Sequence, residues 1–207
     1  IIVALVIIGG HNLLDGVHFA PGSALQNLWA ILHERSWIDV SADLRLRTTY
    51  PVLPWIGVIA LGYSIGPWFA NATVPAARQR HLLLAGAGSL MGFVMLRAVN
   101  SYGEKPWQTY ESGVQTVMSF FNVTKYPPSL LFLALTLGIG LLLLLAFERA
   151  GHKRWIGVLA VFGAAPMFFY LLHLYVLKVL YVACVAAFGL NHGNYFGFDS
   201  IGAVWLA

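Results

Sequence analysis

His173 sits in Phe168-Phe169-Tyr170-Leu171-Leu172-His173-Leu174-Tyr175-Val176-Leu177, with Pro166 upstream and Lys178 downstream. A titratable group inside an apolar spanning helix is costly and usually faces a bundle interior or a water-filled cavity. An imidazole there can serve as general base toward a hydroxyl or amine nucleophile. It can equally hydrogen-bond a neighbouring helix and do nothing else. Tyr170, one turn earlier, shares its helix face.

A second group lies in His11-Asn12-Leu13-Leu14-Asp15-Gly16. His11 and Asp15 are four residues apart and share a face if the helix continues, so the carboxylate can fix the imidazole tautomer and raise its basicity. The other reading is a helix end meeting interfacial water. His11, Asp15 and His173 are therefore the candidate catalytic residues.

Further polar residues fall at span ends. Arg97 and Asn100 close one span; Arg97 can contact a ligand or snorkel to the interface. Asn122, Lys125 and Tyr126 precede Pro127-Pro128-Ser129, where a double proline suits a helix start. Lys125 reads as an anion contact or an interfacial anchor. Tyr50 and Trp55 suit an interfacial aromatic belt. With Asn12 and Tyr170 these are the candidate substrate contacts. Gly62 and Gly66, with Gly57 before them, suit close helix packing, or an opening for a long thin ligand. Asn122-Val123-Thr124 is a glycosylation tripeptide, a weak signal. Cys184 is the single cysteine, which excludes an intrachain disulfide and a cysteine metal site; in its apolar helix it reads as a small buried hydrophobe. No metal is expected, and no Ser-His-Asp order, HExxH, P-loop or dinucleotide fingerprint is present.

The elements that position these residues are apolar. The 207 residues are 59% hydrophobic and 10% charged, against about 25% charged in soluble domains. The formal net charge of +4 comes from 12 Lys and Arg scattered in loops, with no basic stripe for nucleic acid. This composition predicts an all-α, polytopic transmembrane helix bundle. Four spans are expected, at Pro51 to Ala70, Leu82 to Val99, Ser129 to Phe147 and within Ile156 to Leu190. The last stretch is too long for one span, and Gly163-Ala164-Ala165-Pro166 is its natural break. Ile1 to Ile8 and Ser200 to Ala207 read as helices cut short at each end. The chain is expected to be one membrane domain over 1–207, a fragment of a larger bundle lacking its N-terminal spans. Leu25, Leu28, Trp29 and Leu32, and likewise Val114, Val117, Met118 and Phe121, recur at i, i+3, i+4, i+7. Both sets read as amphipathic helices, either lying in the interface or packed on the bundle. Lys and Arg place 71–81 and 148–155 on the cytoplasmic side, and His11 to Tyr50 and Asn100 to Pro128 outside.

Four segments carry a family resemblance: His11 to Gly16, Tyr50 to Gly66, Asn122 to Leu133 and Pro166 to Leu174. On these the chain resembles the bacterial relatives of heparan-alpha-glucosaminide N-acetyltransferase, a group of membrane acyltransferases. The resemblance implies residence in the bacterial inner (cytoplasmic) membrane. It also implies transfer of an acetyl or acyl group from acetyl-CoA (acyl-CoA), the co-substrate, to a glycan or other amine or hydroxyl acceptor across the membrane. A histidine would act as base or acyl carrier. The family's acidic-Arg-Gly opening motif and its catalytic-histidine region belong to early spans absent from this sequence; His173 matches a histidine late in the pattern. The implied partners are membrane lipid, acyl-CoA and the acceptor. A multi-span transporter or permease with a mid-membrane polar site is the alternative, and a non-catalytic membrane assembly subunit is the third reading.

Overall fold

The computed structural model describes residues 1–41, 44–151 and 153–189. It divides into two compact units, Ile1–Arg149 and Ala150–Ala207. The interrupted segment expected at Ser200 to Ala207 lies outside the described residues.

The first unit is built from two pairs of helices. α1 (Ile2–Gly10) packs on α3 (Leu53–Ile65), and α4 (Pro75–Val99) packs on α6 (Leu130–Arg149). The α4–α6 contact is close because Gly86 and Gly138 oppose each other. A Cβ on Gly86 would lie 2.9 Å from Leu142 and 3.2 Å from the Gly138 carbonyl oxygen. Ser89 adds a hydrogen bond across the contact, donating to the Ala134 carbonyl at 2.8 Å. At one end of this pair Glu148 accepts both Arg78 Nε and a terminal Arg78 nitrogen, at 2.9 and 3.0 Å, and Gln79 at 3.2 Å. The opposite end carries the long connections and the polar residues.

Three helices are long and apolar enough to cross a membrane: Pro75–Val99, Leu130–Arg149 and Pro166–Ala187. The expected span from Pro51 to Ala70 is shorter. Its α-helix ends at Ile65 and tightens into a 3-10 turn, Gly66–Phe69, where Gly66 and Pro67 are poor helix continuers. Leu53–Phe69 therefore stays among the shorter apolar helices. α4, by contrast, begins at Pro75, a proline at the first helical position. Most of the segment expected as the loop 71–81 is thus its first two turns.

The two amphipathic helices are present. α2 (Ala24–Leu32) starts at Ser23, whose hydroxyl accepts the Gln26 N–H at 3.1 Å. α5 (Gly113–Phe121) leaves Val114, Val117, Met118 and Phe121 exposed, while Phe120 stacks edge-on against Phe93 of α4. The all-α expectation needs one correction. β1 (Trp37–Ser41) pairs antiparallel with β2 (Leu44–Arg47), matching the alternation Trp37-Ile38-Asp39-Val40 and Leu44-Arg45-Leu46-Arg47.

The second unit contains α7 (Arg154–Ala164) and α8 (Pro166–Phe188), broken at Ala165 just before Pro166. Phe162 and Phe169 stack across the break, centroids 4.6 Å apart. Cys184 is exposed on α8 rather than buried.

Candidate functional site

The polar end of the first unit is held by three side chains that satisfy backbone groups. Arg97, 1% exposed at the end of α4, donates from Nε to the Phe120 carbonyl and from its terminal nitrogens to those of Lys105, Ser119 and Asn122. Asn100 closes α4 in the left-handed region, φ 56°, and exchanges two hydrogen bonds with the Trp107 backbone. Glu104 accepts from Thr124 N, Thr124 Oγ1, Ser129 Oγ and Lys105 N. Burial pushes the Glu104 carboxyl up, but these four hydrogen bonds outweigh it and hold it below the usual range.

His11 is the fourth tie. Its Nδ1 faces the Ile8 carbonyl and its Nε2 the Pro128 carbonyl, both at 2.9 Å, with the residue 3% exposed. Asn12 Oδ1 accepts the Leu130 N–H at 2.8 Å, and Ser129 Oγ accepts that of Phe132. The His11-Asn12 segment thus joins the end of α1 to the first turn of α6. The expected His11–Asp15 pair does not form, because α1 stops at Gly10 and His11–Leu14 is a 3-10 turn.

Asp15 instead meets His33, a residue the sequence did not single out. His33 Nε2 lies 2.9 Å from Asp15 Oδ1, and Asn12 Nδ2 donates to Asp15 Oδ2 at 2.9 Å. The two partners differ in exposure: the His33 side chain is 3% exposed and that of Asp15 54%. His33 Nδ1 is buried with no partner among the described residues, and the Trp29 ring lies 5.0 Å from the imidazole. Burial pushes the His33 imidazole below its ordinary value, against Asp15, which pulls it up.

These residues line a cavity of about 690 Å³. Its lining includes Asn12, Asp15, His18, Trp29, His33, Glu34 and Arg35 from one stretch of the chain and Tyr102, Glu104, Lys105, Tyr126 and Ser129 from another. Tyr102 donates to the Gly9 carbonyl, and burial pushes its phenol up. Of the expected site residues, Asn12, Asp15 and Tyr126 line this cavity. His11, Arg97, Asn100, Asn122 and Lys125 do not, although the first three brace its walls. Tyr50 reaches Tyr126, hydroxyl to hydroxyl at 3.1 Å. Trp55 lies on α3 with its indole nitrogen buried and unpartnered among the described residues. Tyr170 and His173 stand together on α8, ring centroids 5.3 Å apart, with His173 Nδ1 3.3 Å from the Phe169 carbonyl. Among the described residues no group of three or more His, Cys, Asp or Glu is placed to hold a metal ion.

No protein-family model, no curated protein and no solved structure matches the chain.

Proposed function

We propose that the chain is part of a larger membrane acyltransferase bundle, with the cavity facing outward. The observation that carries the reading is the Asp15–His33 pair: a cavity-exposed carboxylate backed by a buried imidazole and oriented by Asn12. A cavity-facing carboxylate oriented by Asn12 and His33 can accept a proton from a hydroxyl or amine as that group becomes a nucleophile. The acceptor heteroatom attacks the thioester carbonyl of acyl-CoA, the carbon–sulfur bond breaks, and CoA leaves as thiolate. The acceptor proton passes to Asp15 and from there to solvent, while the thiolate takes a proton on its own side. His33 is a positioning residue here, and His11 is a tie between helices. The segment resemblance over His11 to Leu174 adds to this reading.

The test is acetyl transfer from labelled acetyl-CoA to amino-sugar and polyol acceptors, using the native membrane protein that carries this sequence. Asp15→Asn should lower kcat about a hundredfold or more, the low end of general-base contributions, with the folded state intact by thermal melting. Transfer unchanged in Asp15→Asn, or no CoA release with any acceptor, would overturn the reading.

A further inference from the structure

The polar side of α5 is spent inside the protein and its apolar side is left open. Thr116 Oγ1 accepts the Tyr110 N–H at 2.9 Å and Ser119 Oγ accepts that of Gln108 at 3.0 Å, so both hydroxyls are taken by the segment that leads into the helix. Val114, Val117, Met118 and Phe121 recur on one side, each more than half exposed. No charged residue lies between Gly113 and Asn122. A helix resting on a membrane surface ordinarily turns Lys and Arg to water; α5 has none to turn.

The contacts of α5 also set its depth. Phe93 of α4 is buried, with ring centroids 5.9 Å from Phe120 and 6.0 Å from Phe121. It precedes the end of α4 at Val99 by about 9 Å along the axis. With Arg78 and Arg80 in its first turns, α4 offers the hydrocarbon Leu82 to Val99, about 27 Å against a core of about 30 Å. That stretch is needed to its last turn, so the Phe93 contact puts the C-terminal end of α5 within the hydrocarbon. A helix end there must have its carbonyls satisfied by protein. Arg97 does this, donating to the carbonyls of Phe120, Ser119 and Asn122 at 2.7, 2.8 and 2.9 Å. Trp107 Nε1 in turn donates to the Arg97 carbonyl at 2.8 Å. A guanidinium that is costly at that depth thus caps a helix end that water does not reach.

We propose that α5 is embedded in the leaflet at the Arg97 end of α4, with Val114, Val117, Met118 and Phe121 against lipid acyl chains. The occupant of this face is hydrocarbon. Val94 and Met95, next to Phe93 in the chain, are exposed at the same depth and need the same surroundings. The proposal requires only that α4 spans the membrane, and it stands apart from the acyltransferase reading.

The experiment uses the native membrane protein made free of cysteine, Cys184→Ala included, in phosphatidylcholine vesicles. A nitroxide is attached in turn to Val117→Cys and Met118→Cys, and its collisions with two relaxing agents are compared by electron paramagnetic resonance. At both positions collisions with oxygen, which concentrates in hydrocarbon, should exceed those with the water-soluble nickel(II) ethylenediaminediacetate complex. The reverse order would place the face in water and overturn the proposal. Few collisions with either agent would mean that protein covers the face, a second copy of the chain included, and would overturn it as well. Both substitutions are at exposed side chains, and melting curves establish that the variants are folded. Each position is read by itself, so a variant that fails to fold leaves the other to decide.

Discussion

His33 joins two facts that are separately ordinary and together consequential: a hydrogen-bonded carboxylate exposed to a cavity and an imidazole buried behind it. Because burial lowers its pKa, the unfolded state binds the extra proton first as pH falls below about 6.5. This contribution to stability is fully present above that value and is lost as pH drops toward the lower folded value. Glu104 acts in the same direction over a more acidic range: its folded pKa is depressed, so its contribution is lost as pH falls from the ordinary carboxylate value through the folded one. Thermal melting against pH should therefore show an early acid loss that His33→Gln removes and a later one that Glu104→Gln removes. Asp15 raises the His33 pKa, so in Asp15→Asn the early acid loss of stability should move to lower pH. A loss that stays in place would leave Asp15 without electrostatic contact with His33. Arg97 is a different case, a buried guanidinium whose four acceptors are backbone carbonyls. Arg97→Ala strands those oxygens and should cost roughly 2–4 kcal/mol, measured by thermal or denaturant unfolding in detergent.

Glycine placement shows how much of the elements was legible. Spacing drew attention to Gly62 and Gly66, yet a Cβ at either would meet nothing within 4 Å. The close contacts fall at Gly57, against Ile7 and Ile8, and at the Gly86–Gly138 crossing. A single helix's spacing records which face is small, not which face finds a partner; that depends on where the partner's own small residue falls. Gly86→Leu should thus destabilise the α4–α6 pair by about 1–3 kcal/mol, since the Gly138 carbonyl is backbone and cannot move aside. Gly88→Ala, with open space around it, should be neutral or stabilising by up to about 1 kcal/mol. Long apolar runs, the Pro166 break and the amphipathic helices were readable because composition and period act locally. The hairpin was visible only as a short alternation inside a segment read as helix and loop. The Asp15–His33 pair was not readable: the residues are 18 positions apart with no shared period, brought together only because the 3-10 turn at His11–Leu14 redirects Asp15.

The first unit is polarised along its helix axes, and this decides which side of a membrane the cavity can serve. At one end Arg78 is tied to Glu148, leaving Arg80 and Arg149 beside short connections. The other end has more basic residues, but they are differently committed: Arg97 is buried in backbone carbonyls and Arg45 is paired with Asp39. The positive-inside rule is strongest for short loops next to spans, so the Arg78 end is expected in the cytoplasm and the cavity outside. Cysteine labelling tests this directly, because Cys184 is the only cysteine in this sequence. In a Cys184→Ala background, Thr73→Cys marks the Arg78 end and Ser101→Cys the cavity wall. In sealed, right-side-out vesicles an impermeant maleimide should label the Ser101→Cys variant at once and the Thr73→Cys variant only after permeabilisation. The opposite pattern would put the cavity on the same side as acyl-CoA. Acceptor and donor would then meet without crossing the membrane, and the transmembrane form of the transfer reaction would be lost even if Asp15 kept its role.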